Sequence, residues 1–384
     1  MSWPRVKLGD VATINPRPPR DVDESQQVTF VAMASASEDG YLLASETRIL
    51  SETRKGFTYF DSNDVLLAKI TPCFENGKCL RPGQIPTDIG FGSTEFHVIR
   101  PDSEKLDGLY LFYLVWSEQF RFWGEKSMFG AAGQRRVGSD FLKGFEIPLP
   151  PLSEQKRIAA ILDKADAIRR KRQQAIQLAD DFLRAVFLDM FGDPVTNPKG
   201  WPTMRVDELC AIVRGSSPRP QGDPRFYGGP VPRLMVADLT RDGKLVTPMI
   251  DSLTTEGAQK SRPIEAGTVV MAVSGNVGLT SVLAIDACIH DGFIAFKELD
   301  VNKVKPAFLC ELMMFLKSTH ASRQAGAIFQ NLTTSQIKEM EIPIPPSALQ
   351  DKFLSISRKA TELYGEEGFS LFESLSQRAF SGQL

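Results

Sequence analysis

The most regular hydrophobic pattern in the chain runs from residue 146 to residue 190. An alternating apolar segment, residues 145–149, opens this stretch and is stopped by Pro150 and Pro151. Proline cannot donate to a sheet ladder and disfavours helix in the preceding residue. Ser153 then fits a helix N-cap, and neither proline nor glycine occurs again before Gly192. Apolar residues recur in steps of three and four, the spacing of a coiled coil. The pattern predicts a strand, a sharp boundary and a helix of about 55–60 Å whose apolar stripe needs a partner.

A second apolar helix is predicted near the C-terminus, and it provides that partner. We expect helix–helix or partner contacts on the first helix at Ile158, Ile161, Ala165, Ile168, Phe182 and Val186. We expect them on the second helix at Phe353, Ile356, Ala360 and Leu363. Gly365 and Gly368 each cost about 1 kcal/mol relative to alanine within a helix, so a bend is expected there. The basic run 169–172 lies in the middle of the first helix, where it could face DNA phosphates, bind an acidic partner or be solvated, and a solvated face is the favoured interpretation.

The chain contains an internal repeat. EIPLPPLSEQ at 146–155 returns as EIPIPPSALQ at 341–350, and WPRVKLGDVATI at 3–14 returns as WPTMRVDELCAI at 201–212. Self-similarity of this kind indicates one structural unit used twice. Each half therefore consists of a globular domain, a double-proline stop and a long helix.

The repeat predicts the domain boundaries and the fold class. The expected segments are a first domain at 1–150, a long helix at 151–192, a second domain at 193–345 and a C-terminal long helix at 346–384. Predicted strands at 28–33, 64–70 and 95–99 and a predicted helix at 106–123 indicate that the first domain is mixed α/β (α+β). The second domain shares this plan, since DVLLA at 64–68 aligns with TVVMA at 268–272.

Composition and charge are those of an ordinary globular protein. Hydrophobic residues make up 42% of the chain and charged residues 24%, and the net charge of −2 excludes a globally polybasic protein. Five cysteines without a C-x-x-C pair indicate reduced thiols. The N-terminus lacks an apolar signal segment, and no apolar run is long enough to cross a bilayer. We therefore expect a cytoplasmic protein without a membrane partner.

Catalytic motifs are missing. The sequence contains neither a P-loop nor a G-x-S-x-G elbow, and its two Asn-Pro segments do not complete a methyltransferase signature. The three histidines, His97, His290 and His320, are scattered and lack partners at metal-ligand spacing. The glycine-rich segment 275–278 is interpreted as a tight loop. The prediction is no catalytic residue, no metal site and no cofactor bound by this chain.

Positive and amide side chains instead recur in turn-rich loops. Arginine can read guanine, asparagine or glutamine can read adenine, and lysine or arginine can hold phosphates. Loops on a rigid scaffold are where such side chains are found, although a solvated surface would have the same composition. The candidate DNA-binding residues are Arg17, Arg20, Arg54, Lys55, Lys69, Gln134, Arg135, Arg136, Arg214, Ser216, Arg219, Arg225, Lys260, Arg262, Asn276, Gln330 and Asn331.

These segments resemble a known family. The duplicated plan, the helix entry IPLPPLSEQKRIAAIL and the linker NPKGWP look like the DNA-specificity (S) subunit of type I restriction–modification systems. RGSSPRPQGDPRFYGGPVP resembles an opening of its target-recognition domains, and GAAGQRRV and FQNLTTSQIKEMEIPIPP resemble their endings. Two departures are visible. The second helix lacks the Ser-Glu-Gln entry, and the first domain has no clear counterpart of the Gly-Ser-Ser-Pro opening, so the two domains are expected to read unrelated half-sites.

The resemblance implies an architecture and a set of partners. Two target-recognition domains would each read one half of a split site on double-stranded DNA, and the two long helices would pair as an antiparallel intramolecular coiled coil. Two methyltransferase (M) subunits and endonuclease/translocase (R) subunits would join the complex. S-adenosylmethionine, ATP and Mg²⁺ would be bound by those partners. The alternative from the residues alone is a coiled-coil scaffold or adaptor of a defence or partitioning complex that reads no DNA.

Overall fold

The structure is a computed structural model that describes residues 3–19, 22–131, 133–322, 333–363 and 369–383. The chain divides into two compact units. The first unit comprises Met1–Gln173 and Glu366–Leu384, and the second comprises Gln174–Gly365. The predicted bend at Gly365 and Gly368 lies outside the described residues. The predicted domain boundaries stay predictions.

The first unit begins with a short strand and ends with a helix from the C-terminus. Its strands are β1 (Arg5–Lys7), β2 (Ala12–Ile14), β3 (Gln27–Val31), β4 (Glu46–Ile49), β5 (Thr58–Asp61), β6 (Val65–Ala68), β7 (Cys79–Leu80), β8 (Ile89–Gly92), β9 (Phe96–Pro101) and β10 (Glu146–Pro148). Its helices are α1 (Leu8–Val11), α2 (Leu50–Thr53), α3 (Gly108–Trp116), α4 (Glu118–Ser127), α5 (Ser139–Gly144), the first half of α6 (Leu152–Phe191) and, from the C-terminus, α13 (Phe369–Ser381).

The second unit repeats this order with one additional strand. Its strands are β11 (Thr203–Arg205), β12 (Ala211–Arg214), β13 (Tyr227–Leu234), β14 (Leu245–Val246), β15 (Asp251–Leu253), β16 (Arg262–Ile264), β17 (Val269–Ala272), β18 (Thr280–Leu283), β19 (Ala287–Ile289), β20 (Phe293–Lys297) and β21 (Glu341–Pro343). Its helices are the second half of α6, α7 (Val206–Leu209), α8 (Val236–Asp242), α9 (Thr255–Gln259), α10 (Pro306–Ser322), α11 (Thr334–Glu339) and α12 (Ser347–Leu363).

Both units use the same sheet topology among their described residues, apart from β14, which is added at the edge of one sheet of the second unit. In the first unit the strand orders are β1-β10, β2-β9-β6-β7 and β4-β3-β8-β5. In the second unit they are β11-β21, β12-β20-β17-β18-β14 and β15-β13-β19-β16. The pairing is antiparallel except between β3 and β8, β13 and β19, and β14 and β18. The predicted mixed α/β class and the internal duplication are thus confirmed.

Strand register confirms the sequence alignment of the two halves residue by residue. Ile99 on β9 pairs with Ile14 on one side and with Val65 on the other. Phe296 on β20 pairs in the same way with Ile212 and Val269. Because a slip of one residue would turn every side chain to the opposite face, these equal registers mean that both sheets bury the same aligned positions.

The predicted helix at 106–123 is two helices rather than one. α3 ends at Trp116, and Ser117 adopts an extended conformation (φ −62°, ψ 148°). The Ser117 side chain accepts a hydrogen bond from the backbone N–H of Phe120 and so caps α4. The apolar periodicity continued across the break because both helices pack on the same core, in which Tyr110, Phe112 and Phe120 are buried.

The long helix α6 has 40 residues, Leu152–Phe191, close to the predicted extent. The predicted N-cap is wrong, because Ser153 lies inside the first turn of the helix. Burial also follows a different frame from the predicted one. In the first unit the buried apolar side chains include Ile158, Leu162 and Ala165, and in the second they are Leu183, Phe187 and Phe191.

The predicted packing residues on the long helices therefore divide into several groups. Ile158, Ala165, Phe353 and Ala360 are buried, and Ile161, Val186 and Ile356 are half-buried. Ile168 and Phe182 are 61% and 54% exposed, so they contribute little to intramolecular packing. The side chain of Leu363 lies outside the described residues. Most buried apolar residues of α6 recur at every fourth position. α6 packs on a globular core as well as on a second helix, and this widens its buried stripe beyond that of a coiled coil.

Each half of α6 packs within its own unit against a C-terminal helix. In the first unit Arg169 lies over the ring of Phe372 on α13, with 5.9 Å to the ring centroid. In the second unit Phe353 on α12 packs against Phe187 and Phe191, with ring centroids 5.4 and 5.6 Å apart. α6 thus packs against α13 in the first unit and against α12 in the second.

A buried glutamine joins each long helix to its domain. Gln155 donates from Nε2 to the carbonyls of Lys105 and Pro150 and accepts at Oε1 from the N–H of Asp107, all at 2.8 Å. The equivalent Gln350 donates to Lys303 and Pro345 and accepts from the N–H of Lys305, at 2.8, 2.9 and 3.0 Å. Both side chains are fully buried. The last residue of the repeated EIP motif is therefore a clamp that satisfies three backbone groups.

We expect Gln350→Ala to destabilise the second unit by about 3 kcal/mol, because three backbone groups lose their partner, one of them in a fully buried hydrogen bond. Urea unfolding of the full chain would measure the shift. Gln119→Ala is the control, since Gln119 is exposed and such surface changes stay within about 0.5 kcal/mol. A shift for Gln350→Ala no larger than that of the control would contradict the clamp.

Arg169 and Arg170 of the basic run 169–172 on α6 are not part of a solvated face, which corrects the expectation from sequence for these two residues, whereas Lys171 is exposed. Arg169 is only 15% exposed and pairs with Asp166 and Asp39 at 2.8 and 2.6 Å. Arg170 also pairs with Asp166, at 3.0 Å, and its guanidinium lies 4.0 Å from the ring centroid of Tyr41. Asp166 is itself buried. These contacts fasten the loop at Asp39–Tyr41 to the long helix.

Candidate nucleic-acid interface

The loop after β12 is held close to the turn between β19 and β20. The N–H of Gly215 donates to the carbonyl of Phe293 at 2.9 Å, and the N–H of Ser216 donates to the carbonyl of Ile289 at 3.1 Å. A Cβ on Gly215 would lie 2.1 Å from the carbonyl oxygen of His290, so only glycine permits this approach. The segment that resembles the opening of a recognition domain is thus anchored at its first residues.

The second unit brings six of the predicted DNA-binding residues together around this loop. We call them the second basic surface: Arg214, Ser216, Arg219, Arg225, Lys260 and Arg262. The carbonyl of Arg214 accepts from Nε of Arg262 at 3.4 Å, and Ser216 Oγ donates to the carbonyl of Lys260 at 3.4 Å. Lys260 and Arg225 lie over the same ring, that of Phe226, with 4.1 and 5.2 Å to its centroid. Cations and loops thus form one continuous patch.

Carboxylates hold the cations of this surface in place. Arg225 makes a two-pronged ion pair with Asp223, with its Nη2 at 2.7 Å, and the pKa of Asp223 falls to about 2 because it accepts hydrogen bonds from Arg225. Arg219 Nη2 lies 3.8 Å from Asp291 Oδ2, and Arg214 Nε donates to the carbonyl of Asp291 at 3.0 Å. Arg225 and Arg214 are therefore held in defined orientations before any ligand arrives, whereas Arg219 makes the looser contact.

Asn276 lies on a neighbouring turn rather than in the patch itself. Its side-chain oxygen accepts a hydrogen bond from Lys317. The same turn approaches the strand junction closely, since a Cβ on Gly292 would lie 2.4 Å from Ser274 Oγ. The predicted residues Gln330 and Asn331 lie outside the described residues.

The first unit gathers a second set of predicted residues at the corresponding turn, between β8 and β9. Arg136 makes a two-pronged ion pair with Glu95 there, with Nη2–Oε1 at 2.8 Å and Nε–Oε2 at 2.9 Å. The pKa of Glu95 is lowered chiefly by this hydrogen-bonded guanidinium. The N–H of Lys69 donates to the carbonyl of Glu95 at 2.9 Å, and the exposed Gln134 precedes Arg135 in the same loop.

Other predicted residues of the first unit join this set through the loop after β2. Nδ2 of Asn15 lies 3.1 Å from Nδ1 of His97, whose Nε2 donates to the carbonyl of Val137 at 2.8 Å. Arg17, which is exposed, follows Asn15 in this loop, and the carbonyl of Pro19 accepts from Nη2 of Arg54 at 3.3 Å.

We call this set the first basic surface: Arg17, Arg54, Lys55, Lys69, Gln134, Arg135 and Arg136. Lys55, next to Arg54, is exposed. Arg54 pairs with Glu24, and Arg135 lies 3.7 Å from Glu75 and 3.9 Å from Glu125. Arg20 lies outside the described residues.

Both basic surfaces occupy the same place in the repeated fold. Ser93 before β9 and His290 before β20 are equivalent, since each carbonyl accepts a hydrogen bond from the N–H that starts the next strand, Phe96 or Phe293. Glu95 and Asp291 follow these residues and each holds an arginine. Neither carboxylate was among the residues predicted from sequence, because an acidic residue in a turn gives no signal until its partner is known.

The histidines and the metal-ligating residue types suggest no further chemistry. Burial lowers the pKa of His97 and of His290, and both rings are hydrogen-bonded to backbone. The side chain of His320 lies outside the described residues. Over the part of the chain that the structure describes, no group of three or more His, Cys, Asp or Glu side chains is placed to hold a metal ion. Likewise, none of the described helices combines the length and apolarity needed to cross a membrane.

A family model described as "Type I restriction modification DNA specificity domain" matches residues 2–178 and 198–359. The specificity subunits of type I restriction enzymes EcoEI and EcoAI, both from Escherichia coli, are 39% identical over 164 residues and 40% identical over 159 residues. These alignments cover 42% and 41% of this chain, but only 27% and 26% of the relatives, so the chain spans about a quarter of each relative's length.

A solved structure shares the fold over the whole chain. It is the crystal structure of a type I restriction–modification system S subunit from M. genitalium. The superposition has a TM-score of 0.55 at 16% identity and covers 98% of this chain and 96% of that one. The similarity at this level concerns the fold: two alike domains and long helices.

Proposed function

Because the chain belongs to the family of type I restriction modification DNA specificity domains, we propose that it is the DNA-recognition subunit of a type I restriction–modification complex. Each unit reads one half of a bipartite site on double-stranded DNA, in the cytoplasm. In this role the chain is non-catalytic and binds no cofactor of its own. It positions methyltransferase subunits so that they methylate adenine at N6.

One observation carries this proposal: two basic surfaces lie at the same turn of a duplicated fold. Each surface combines exposed cations with amide or hydroxyl side chains on loops that are fastened to a sheet. Cations on phosphates fix the register of a protein on DNA, and arginine, glutamine and serine can contact base edges. Different loop sequences at the same place, Asn15–Pro19 and Gly215–Pro220, would give the two units different half-sites.

The spacer between the half-sites follows from α6, which contributes residues to both units. Its 40 residues correspond to about 60 Å of helix, longer than the ~34–36 Å between successive major-groove faces of B-DNA. A helix shared by both readers would allow them to meet DNA only at a set separation. The base pairs between the half-sites would then go unread.

The partners supply the chemistry. Two methyltransferase subunits would bind S-adenosylmethionine, and endonuclease/translocase subunits would bind ATP and Mg²⁺. The net charge of −2 and the carboxylates in both basic surfaces indicate weak DNA binding by the chain alone. The partners would therefore contribute the remaining phosphate contacts.

Selection from a pool of random DNA duplexes tests the proposal. The full chain, assembled with its methyltransferase partner, should enrich two short motifs separated by a run of constant length and free sequence. The control assembly carries charge-removing alanine substitutions at Arg136 and Arg225, one on each basic surface, and should enrich both motifs less. If the unaltered assembly enriched no sequence, the chain would instead be a scaffold that reads no DNA.

A further inference from the structure

We propose that Arg219 reads a guanine in the half-site recognised by the second unit, and that Asp291 is the residue that positions it. This inference rests on the proposed function and assigns a base and two residues to it. The contacts around the loop after β12 carry the assignment.

Arg219 is presented to solvent on a restrained stretch of backbone. Its side chain is 70% exposed, the largest exposure among the arginines in the described ion pairs. Pro218 and Pro220 flank it, and proline restricts the backbone to a narrow range of φ. Three and four residues earlier, Ser216 and Gly215 are hydrogen-bonded to the strand junction. The backbone of this loop therefore loses little conformational entropy when the guanidinium meets a base.

Asp291 contacts this loop at three points. Its Oδ1 accepts from Ser217 Oγ at 2.7 Å, its Oδ2 lies 3.8 Å from Arg219 Nη2, and its backbone carbonyl accepts from Arg214 Nε at 3.0 Å. Ser217 is fixed from the other side by the buried Arg233, whose Nη2 donates to Ser217 Oγ at 3.2 Å. The carboxylate is therefore itself held in place and can orient the arginine beside it.

The neighbouring arginines are less suited to read a base. Arg225 uses both Nε and Nη2 on Asp223, at 3.1 and 2.7 Å. Arg214 and Arg262 each donate from Nε to a backbone carbonyl. Guanine presents O6 and N7 side by side and accepts two parallel N–H bonds, which needs an arginine with one edge available. The contact of Arg219 with Asp291, at 3.8 Å, is too long for a hydrogen bond and leaves all of its N–H groups available, whereas Arg225 uses two nitrogens on Asp223 and Nε of Arg214 and of Arg262 is already donating.

The test compares the sequences selected from random duplexes by the full chain with its methyltransferase partner and by four variants. Arg219→Ala should lose about tenfold to hundredfold preference for guanine at one position of one half-site, while the other half-site stays unchanged. Arg219→Lys should not restore the preference, since lysine lacks the planar fork. Asp291→Asn should weaken the preference at the same position. Arg205→Ala is the matched control, because Arg205, at the end of β11, pairs with Asp207 on α7 and with none of the residues of the second basic surface.

Three results would overturn the inference while leaving the proposed function intact. One is a bipartite motif that Arg219→Ala leaves unaltered, and another is loss at a base other than guanine. The third is uniform weakening at all positions with a shallower salt dependence, which is the signature of a phosphate contact. If the unaltered assembly enriched no motif at all, the proposed function itself would fail.

Discussion

Lengthening the long helix by four residues between Gln173 and Gln174 should lengthen the unread spacer by about two base pairs and leave both half-sites unchanged. Four helical residues add about 6 Å, and a base pair of B-DNA occupies about 3.4 Å. Because α12 and α13 belong to different units, the chain between Leu363 and Phe369 needs an insertion of equal length. Selection from random duplexes would measure the new spacing.

The place of the insertion matters. From sequence alone, a helical turn inserted after Ile168 would serve equally well. In the structure, an insertion there would move Arg169 and Arg170 away from Asp166. The join between the two compact units, after Gln173, avoids these contacts.

The matched control keeps the length of the helix and changes its composition. Replacing Lys171, Gln173 and Gln174 with alanine should leave the spacer as it is. An unaltered spacer in the lengthened variant would show that the helix does not set the distance between half-sites. Loss of both half-sites would mean that four residues displace the units beyond what DNA can accommodate, and a seven-residue insertion, about two full turns, would then restore binding at a longer spacing.

Asp166→Ala should destabilise the first unit by about 3–5 kcal/mol, the cost of leaving buried charge without its partner. Asp166 is 1% exposed and accepts hydrogen bonds from Arg169, Arg170 and the Tyr41 hydroxyl, at distances of 2.8 to 3.1 Å. Burial and the nearby Asp166 carboxylate also raise the pKa of Tyr41. Urea unfolding of the full chain would measure the loss.

Asp181→Ala is the control on the same helix, since Asp181 is exposed. It should change the free energy of unfolding by no more than about 0.5 kcal/mol. Asp166→Ala combined with Arg170→Ala should recover part of the loss, because one of the unpaired charges is removed. If Asp166→Ala and Asp181→Ala lowered the free energy of unfolding equally, the anchoring role of Asp166 would be contradicted.

Pattern and repetition in the sequence by themselves determined the plan of this protein. The repeated EIP-Pro-Pro segment divided the chain into two alike halves, and the absence of glycine and proline up to Gly192 marked the end of α6. The aligned pairs Ile14 with Ile212 and Val65 with Val269 hold equal places in the sheets. These features are local or repeated, and hydrophobic periodicity reports them directly.

Only the tertiary structure decided which polar residues meet. Glu95 joins Arg136 across 41 positions of the chain, and Asp291 joins Ser217 across 74. Asp166 turns a basic run that resembled a solvated face into an anchor for its domain. Such partners depend on sheet register and on how a helix is rotated against its domain. The residues next to a charged side chain in the sequence do not reveal its partner. An apolar stripe can be recognised from sequence, because its buried positions repeat with the period of the helix or strand that carries them.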